Sequence, residues 1–373
     1  MNIETFKMER MQSTWENVVD YNLSESGVHP LALKDFLTPE EIEDLARVEI
    51  GYTQTNGTPG LRAEIARLYP GIGADQILAT AGSSEANFLL MWSRIEPGDE
   101  VLFELPNYMQ MWGLLRGFGA SVKPFRLRRS LGWQPDLDEL SRLVTSKTKL
   151  IVLTNPNNPT GSVLSREAMD GIVKLASNAG AWLLADEVYQ GAELSGVRTP
   201  SFWGTYDKVL VTNGLSKAYG LPGLRIGWII GPEEVIKRTW PYHDYTTISP
   251  SALSDHLATL ALSPSRRERI LQRTRAILTA NFPLLEDWMK KQGRLFDYVP
   301  PQAGAICFPR YDLKAGSTAL VERLIKEKSV LIVPGDHFET DGHLRFGYGP
   351  QRGYLLEALG RVEDLLKKIR QSW

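Results

Sequence analysis

The chain has 373 residues, with 42 Lys+Arg against 44 Asp+Glu for a formal net charge of -2. At roughly 150 residues per domain this length predicts two domains, and the near-neutral balance lacks the basic surplus of nucleic-acid or anionic-membrane binders, leaving a small molecule as the expected partner. With 43% hydrophobic residues and only 32 Gly and 22 Pro, the composition excludes a low-complexity or disordered chain.

The first ten residues carry Glu4, Lys7, Glu9 and Arg10 and no apolar run of the kind a secretion signal needs. Cys307 is the only cysteine, so no internal disulfide and no cysteine-based zinc site can form. A reducing, cytoplasmic setting is expected. The apolar stretches at 151–153 and 181–185 are far shorter than the ~18 residues that span a bilayer. His29, His243, His256, His337 and His343 include no pair three or four apart, so no metal site is expected.

Between residues 58 and 232, short Leu-rich or β-branched runs alternate with helical patterns. Strands are predicted at 76–80, 100–103, 150–153, 182–185, 209–212 and 227–230. This alternation predicts an α/β fold with a mostly parallel sheet sandwiched by helices, whose ligands gather at the carboxyl ends of the strands. From Ser263 the sequence becomes strongly charged and predicts a long helix to Lys291, bent at Pro283. Residues 293–373 mix short strands at 305–308, 330–333 and 343–346 with an amphipathic helix at 352–369. They predict a smaller α+β domain.

Four segments carry chemistry. Asn213-Gly214-Leu215-Ser216-Lys217 follows an apolar strand, and burial there would lower the amine's pKa and ready it to attack an aldehyde. Standing alone, Lys217 reads first as a solvated loop lysine, since exposed lysines are common. Asp186 closes the apolar run Trp182-Leu183-Leu184-Ala185, where a carboxylate needs a cation or donor such as a protonated pyridine nitrogen; the plain alternative is a turn aspartate. Gly82-Ser83-Ser84-Glu85 opens a helical run, which suits either a bound phosphate or an ordinary helix cap. Asn155-Pro156-Asn157-Asn158-Pro159-Thr160-Gly161 is a rigid turn presenting asparagine amides.

Together, Asn158-Pro159-Thr160-Gly161, Asp186 with Tyr189, Ser216-Lys217 with Arg225 eight residues on, and Arg345-Phe346-Gly347 resemble fold-type I pyridoxal-phosphate enzymes of the class I/II aminotransferase family. The resemblance covers nearly the whole chain. It implies pyridoxal 5'-phosphate as cofactor, an amino acid and an oxo acid as partners, and Lys217 as the lysine that forms a Schiff base with the cofactor and moves the α-proton. It makes Asp186 the partner of the pyridine nitrogen. Tyr189 and Asn158 then meet the ring oxygen, and Tyr108 stacks on the ring. Gly82, Ser83, Ser84, Ser216 and Arg225 surround the phosphate. Arg345 pairs with the substrate α-carboxylate, aided by Asn158. Tyr52 is expected to reach the neighbouring subunit's phosphate, which implies a homodimer with shared active sites. The implied organisation is an N-terminal arm and part of the small domain at 1–40, a large cofactor domain at 41–275, and an interdomain helix and small domain at 276–373.

Two departures from the family pattern stand out. Gly214 occupies the place of a phosphate-binding serine or threonine three residues before the lysine. The substrate-side loop 22–30 places Glu25 and His29 beside Gly27, titratable groups that a broad-range transaminase does not need. With Glu9, these are either solvated side chains or recognise a cationic substrate and assist loss of a substrate hydroxyl. Glu9-Arg10 and the Ser-Gly-Val loop are similar to aminotransferase-related cyclases acting on hydroxylated arginine. The expected function is therefore transamination of an L-amino acid, with a lyase or cyclase performing β/γ-elimination or replacement as the alternative. A regulator that keeps the fold for ligand sensing would need a DNA-binding domain, for which the chain is expected to leave no room.

Overall fold

The computed structural model describes residues 3–371. Its central sheet has eight strands in the spatial order Ile77–Thr80, Gly227–Ile230, Val209–Gly214, Trp182–Asp186, Thr148–Thr154, Glu100–Leu105, Ser121–Arg128 and Gln134–Pro135. Only Gly227–Ile230 and Gln134–Pro135 run against their neighbours. Successive residues of one strand feed opposite apolar layers: Ile151 and Leu153 join the core on one face, Leu150 and Val152 the core on the other. Burial on both faces explains the continuous apolar runs, because a parallel sheet is covered by helices on each side. Ser83–Arg94 and Gln110–Gly117 pack on one face, and Arg166–Ala179 on the other.

Ser121–Arg128 is absent from the predicted strands. Lys123, Pro124, Arg126 and Arg128 interrupt its apolar pattern, and near the sheet edge only Phe125 and Leu127 of its residues are buried. Edge positions tolerate both the charge and the proline.

The helix Pro264–Lys291 runs for 28 residues without interruption at Pro283. Beyond it, Leu344–Gly347 lies between the antiparallel strands Ile306–Cys307 and Val333–Pro334. The predicted strand 330–333 is in fact two, because Val330–Leu331 pairs in parallel with Tyr21–Asn22 instead. That pairing joins the start of the chain to its C-terminal segment, and it is extended by the Tyr21 and Leu23 amides donating to Ser329 and Leu331 carbonyls. A helix at Lys7–Trp15, not predicted from the sequence, precedes it. No helix among the described residues is long and apolar enough to cross a membrane.

Candidate active site

The carboxyl ends of Thr148–Thr154, Trp182–Asp186 and Val209–Gly214 open into a cavity of about 470 Å³ roofed by the N-terminal helix and the loop after Asn22. Lys217 projects into it, its side chain 27% exposed, with Nζ 3.5 Å from Glu25 Oε2. The sequence predicts a lowered amine pKa. Burial does push it down, but the Glu25 carboxylate and Tyr189 reverse the sign and hold Lys217 above its ordinary value. Glu25 is correspondingly lowered by Lys217.

Asp186 is 4% exposed at the end of its strand. Burial raises its pKa to about 6, against hydrogen bonds from the Val188 N–H (3.1 Å) and Asn87 Nδ2 (3.3 Å). Thr212 donates to Asn87 Oδ1 at 2.8 Å and so fixes the amide that faces Asp186. Among the described residues no cationic side chain bonds this carboxylate.

Gly82 has φ of 89°, and a Cβ there would lie 2.5 Å from Arg225 Nη2, so only glycine lets the guanidinium reach the start of the helix Ser83–Arg94. No side chain caps that helix, leaving its first N–H groups facing the cavity walls formed by Ser83 and Ser84. Arg225 itself sits in the left-handed region at φ 49°, a strained conformation for a residue with a side chain, and its Nη1 is 3.5 Å from Ser216 Oγ. Gly214 is explained by the same crowding. A Cβ on it would come within 2.9 Å of the Ile226 carbonyl, so the phosphate-binding side chain of the family pattern has no room.

Arg345 is 1% exposed, and its Nη1 donates to Asn158 Oδ1 at 2.8 Å while Nη2 donates to the Ser24 carbonyl. Its Nε has no partner among the described residues. Tyr189 donates to Ser26 Oγ at 2.8 Å, and Tyr108 donates to Glu9 at 2.8 Å with its ring 5.0 Å from that of Phe6. Gly27 packs behind the lysine, where a Cβ would stand 3.6 Å from Lys217 Cα. Four sequence-predicted residues do not line the cavity: Gly27 and Gly82, which abut residues that do, and His29 and Tyr52. His29 does not face it, because its Nδ1 is held 3.0 Å from the Gly349 carbonyl and its amide donates to the same oxygen. Tyr52 is 87% exposed in the single chain.

Residues 32–362 match the model of the family described as aminotransferase class I and II. The chain belongs to that family. It is 32% identical over 359 residues to a capreomycidine synthase of Streptomyces vinaceus, covering 92% of this chain and 89% of that protein. It is 30% identical over 348 residues to an aspartate aminotransferase of Thermotoga maritima, covering 89% of each. A PLP-dependent aminotransferase from Streptococcus suis has the same fold, with a TM-score of 0.93 at 33% identity and 99% of both chains covered.

The family implies pyridoxal 5'-phosphate, and the cavity fits it on this chain's own features. An uncapped helix start beside Arg225 suits a phosphate, and a buried carboxylate without a cation suits a pyridinium. Lys217, which projects into the same cavity, would supply the amine.

Sequence reasoning missed Phe6, Met8, Gln12, Glu16, Asn87 and Gln110. The first four come from the unpredicted N-terminal helix or the residues that flank it, Phe6 and Glu16, and all four line the cavity. Glu9, Gln12 and Glu16 fall three and four residues apart, a polar stripe on one helical face that was the available signal. Gln110 Nε2 donates to the Ser84 carbonyl at 2.8 Å, bracing the helix start.

Proposed function

We propose that the protein is a pyridoxal-phosphate aminotransferase that moves an amino group from an L-amino acid with a basic side chain to an oxo acid. The observation that carries this reading is the meeting of Lys217, Asp186 and Arg345 in one cavity. Bound there, the cofactor would supply an electron sink for the bond broken at the substrate α-carbon. Arg345 would hold the α-carboxylate in a two-pronged grip and so place the α-carbon. Lys217 would take the α-proton and return it at a second atom. Asp186, ionised, would keep the proton on the ring nitrogen, and the Tyr189 hydroxyl would stand at the ring oxygen.

The preference for a basic side chain rests on three carboxylates, Glu9, Glu16 and Glu25, that share the cavity. Burial and repulsion from Glu25 and Glu9 raise the pKa of Glu16, so a cation among them would relieve a cost the protein now carries. A second reading is elimination or ring closure on a hydroxylated, arginine-like amino acid. What supports it is the Glu25 carboxylate beside Lys217, a second proton-transfer group where transamination needs one, together with the likeness to capreomycidine synthase.

Incubating the holoenzyme with single L-amino acids and an oxo acid, then identifying the products, separates the two. A new amino acid with an oxo-acid product supports transamination; a dehydrated or cyclised product with the aldehyde cofactor retained supports the second reading. The same proposal includes a homodimer in which Tyr52 reaches the neighbouring phosphate site. Sedimentation at micromolar concentration tests it, and a monomer that retains full turnover would refute it.

A further inference from the structure

Glu104 is one of several buried acids that do not line the cavity. Next to last in the strand Glu100–Leu105, it is 0% exposed and lies in an otherwise apolar run. A carboxyl group in such a place is costly unless its oxygens are bonded. One oxygen, Oε2, accepts from three donors: the Thr154 N–H at 3.0 Å, Asn157 Nδ2 at 2.9 Å and Asn107 Nδ2 at 3.3 Å. The other, Oε1, has no partner among the described residues.

The donors come from two segments, Asn107 after the strand of Glu104 itself and Thr154 with Asn157 at the end of its neighbour, and both lead to the cavity wall. Asn107 Oδ1 accepts the Thr154 hydroxyl at 2.7 Å and the Tyr108 N–H at 2.6 Å. Asn157 Nδ2 also donates to the Pro106 carbonyl at 3.1 Å, and its Oδ1 takes the Thr160 hydroxyl at 2.7 Å. The residues next in sequence, Tyr108 and Asn158, are the ones that face the cavity. Asn158 in turn holds Arg345.

We propose that Glu104 is a positioning residue whose single bonded oxygen locks the Tyr108 segment to the Asn158 turn, so that these two walls keep one spacing around the cofactor ring. The inference rests on the family's cofactor but not on which reaction follows. Its requirement is an acceptor, not a charge. Burial holds the carboxyl at a pKa of about 8, so the group is mostly protonated at neutral pH and still accepts through Oε2.

The test uses Glu104→Gln, which keeps a carbonyl acceptor, and Glu104→Leu, which removes it. Apoprotein of each is titrated with pyridoxal 5'-phosphate, following binding by absorbance and ring orientation by visible circular dichroism. The glutamine variant is expected to bind within about threefold of wild type with an unchanged dichroism band, and the leucine variant to bind roughly tenfold or more weakly with a diminished band, as orphaned buried donors imply. Should Glu104→Leu fail to fold, Asn107→Ala removes the links from Asn107 to Glu104, Tyr108 and Thr154 while leaving the Thr154 and Asn157 bonds to Glu104, and is expected to diminish the band in the same direction. Wild-type affinity and dichroism in the leucine variant or, if that variant does not fold, in Asn107→Ala would overturn the proposal. So would a glutamine variant as impaired as the leucine one, which would mean that charge and not acceptance matters.

Discussion

The two sides of the cavity are built differently. The cofactor side is made of strand ends and the turns that follow them: Asp186 closes one strand, Lys217 and Arg225 both follow Val209–Gly214, and Ser83 and Ser84 open a helix after a third. The substrate side is made of the N-terminal helix and the loop carrying Glu25, laid over the C-terminal strand that presents Arg345. Rigid strand ends suit chemistry that does not vary, whereas an added helix and loop can change side chains without disturbing the sheet. On the proposed reading, the cofactor side carries the chemistry common to the family and the substrate side selects among amino acids and reactions.

Substitutions on the two sides should fail in different ways. Lys217→Ala is expected to cut turnover by roughly a thousandfold or more, since it removes the proton-transfer group itself. Steady-state kinetics on the reconstituted variant checks this, and near-normal turnover would break the division. Asp186 gives the next effect, through stability. Its carboxyl pKa is raised from 3.8 to about 6 in the folded apoprotein, so the folded state holds a proton that the unfolded chain has released. Stability from this group is therefore full below about pH 4 and is lost as pH rises through about 6, by about 3 kcal/mol. Urea melts of apoprotein should show that fall, Asp186→Asn should remove its share, and bound cofactor should cancel it by giving the carboxylate a cation.

On the substrate side the effects should appear in binding. Arg345→Ala is expected to raise KM for α-amino acids roughly tenfold to a hundredfold with a smaller change in kcat, because a buried charged grip is lost. Replacing Glu9 and Glu16 together by Gln should lower the kcat/KM preference for L-arginine over L-leucine by about tenfold, leaving L-leucine turnover in place. An unchanged preference would assign the acidic stripe to solvation only.

The same contrast governs what the sequence revealed. Strand ends are legible because a parallel sheet writes unbroken apolar runs, and the polar residue that ends each run marks the ligand edge. Asp186 after Ala185 and Asn155 after Thr154 are such marks. The N-terminal helix was not legible, because its residues are mixed in polarity and its role depends on long-range packing: Gln12 Nε2 on Ser24 Oγ at 2.9 Å and Met8 Sδ near Arg345. His29 shows the opposite error. Its position beside Gly27 suggests the substrate, but the irregular loop turns its ring away from the cavity and holds Nδ1 against the Gly349 carbonyl. Arg345 is legible only through the family pattern, since a short strand gives no period by which to tell its buried face.

The claim on which all of this depends is that Lys217 exchanges the α-proton of a basic L-amino acid, a step common to transamination and to elimination. It is tested most directly by incubating holoenzyme with L-arginine or L-lysine in deuterium oxide and following α-deuteration by NMR. The account predicts α-deuteration with wild-type protein, slower exchange with L-leucine, and none with Lys217→Ala. Exchange that persists in the Lys217→Ala variant, or that is absent from wild type with every L-amino acid tried, would contradict it.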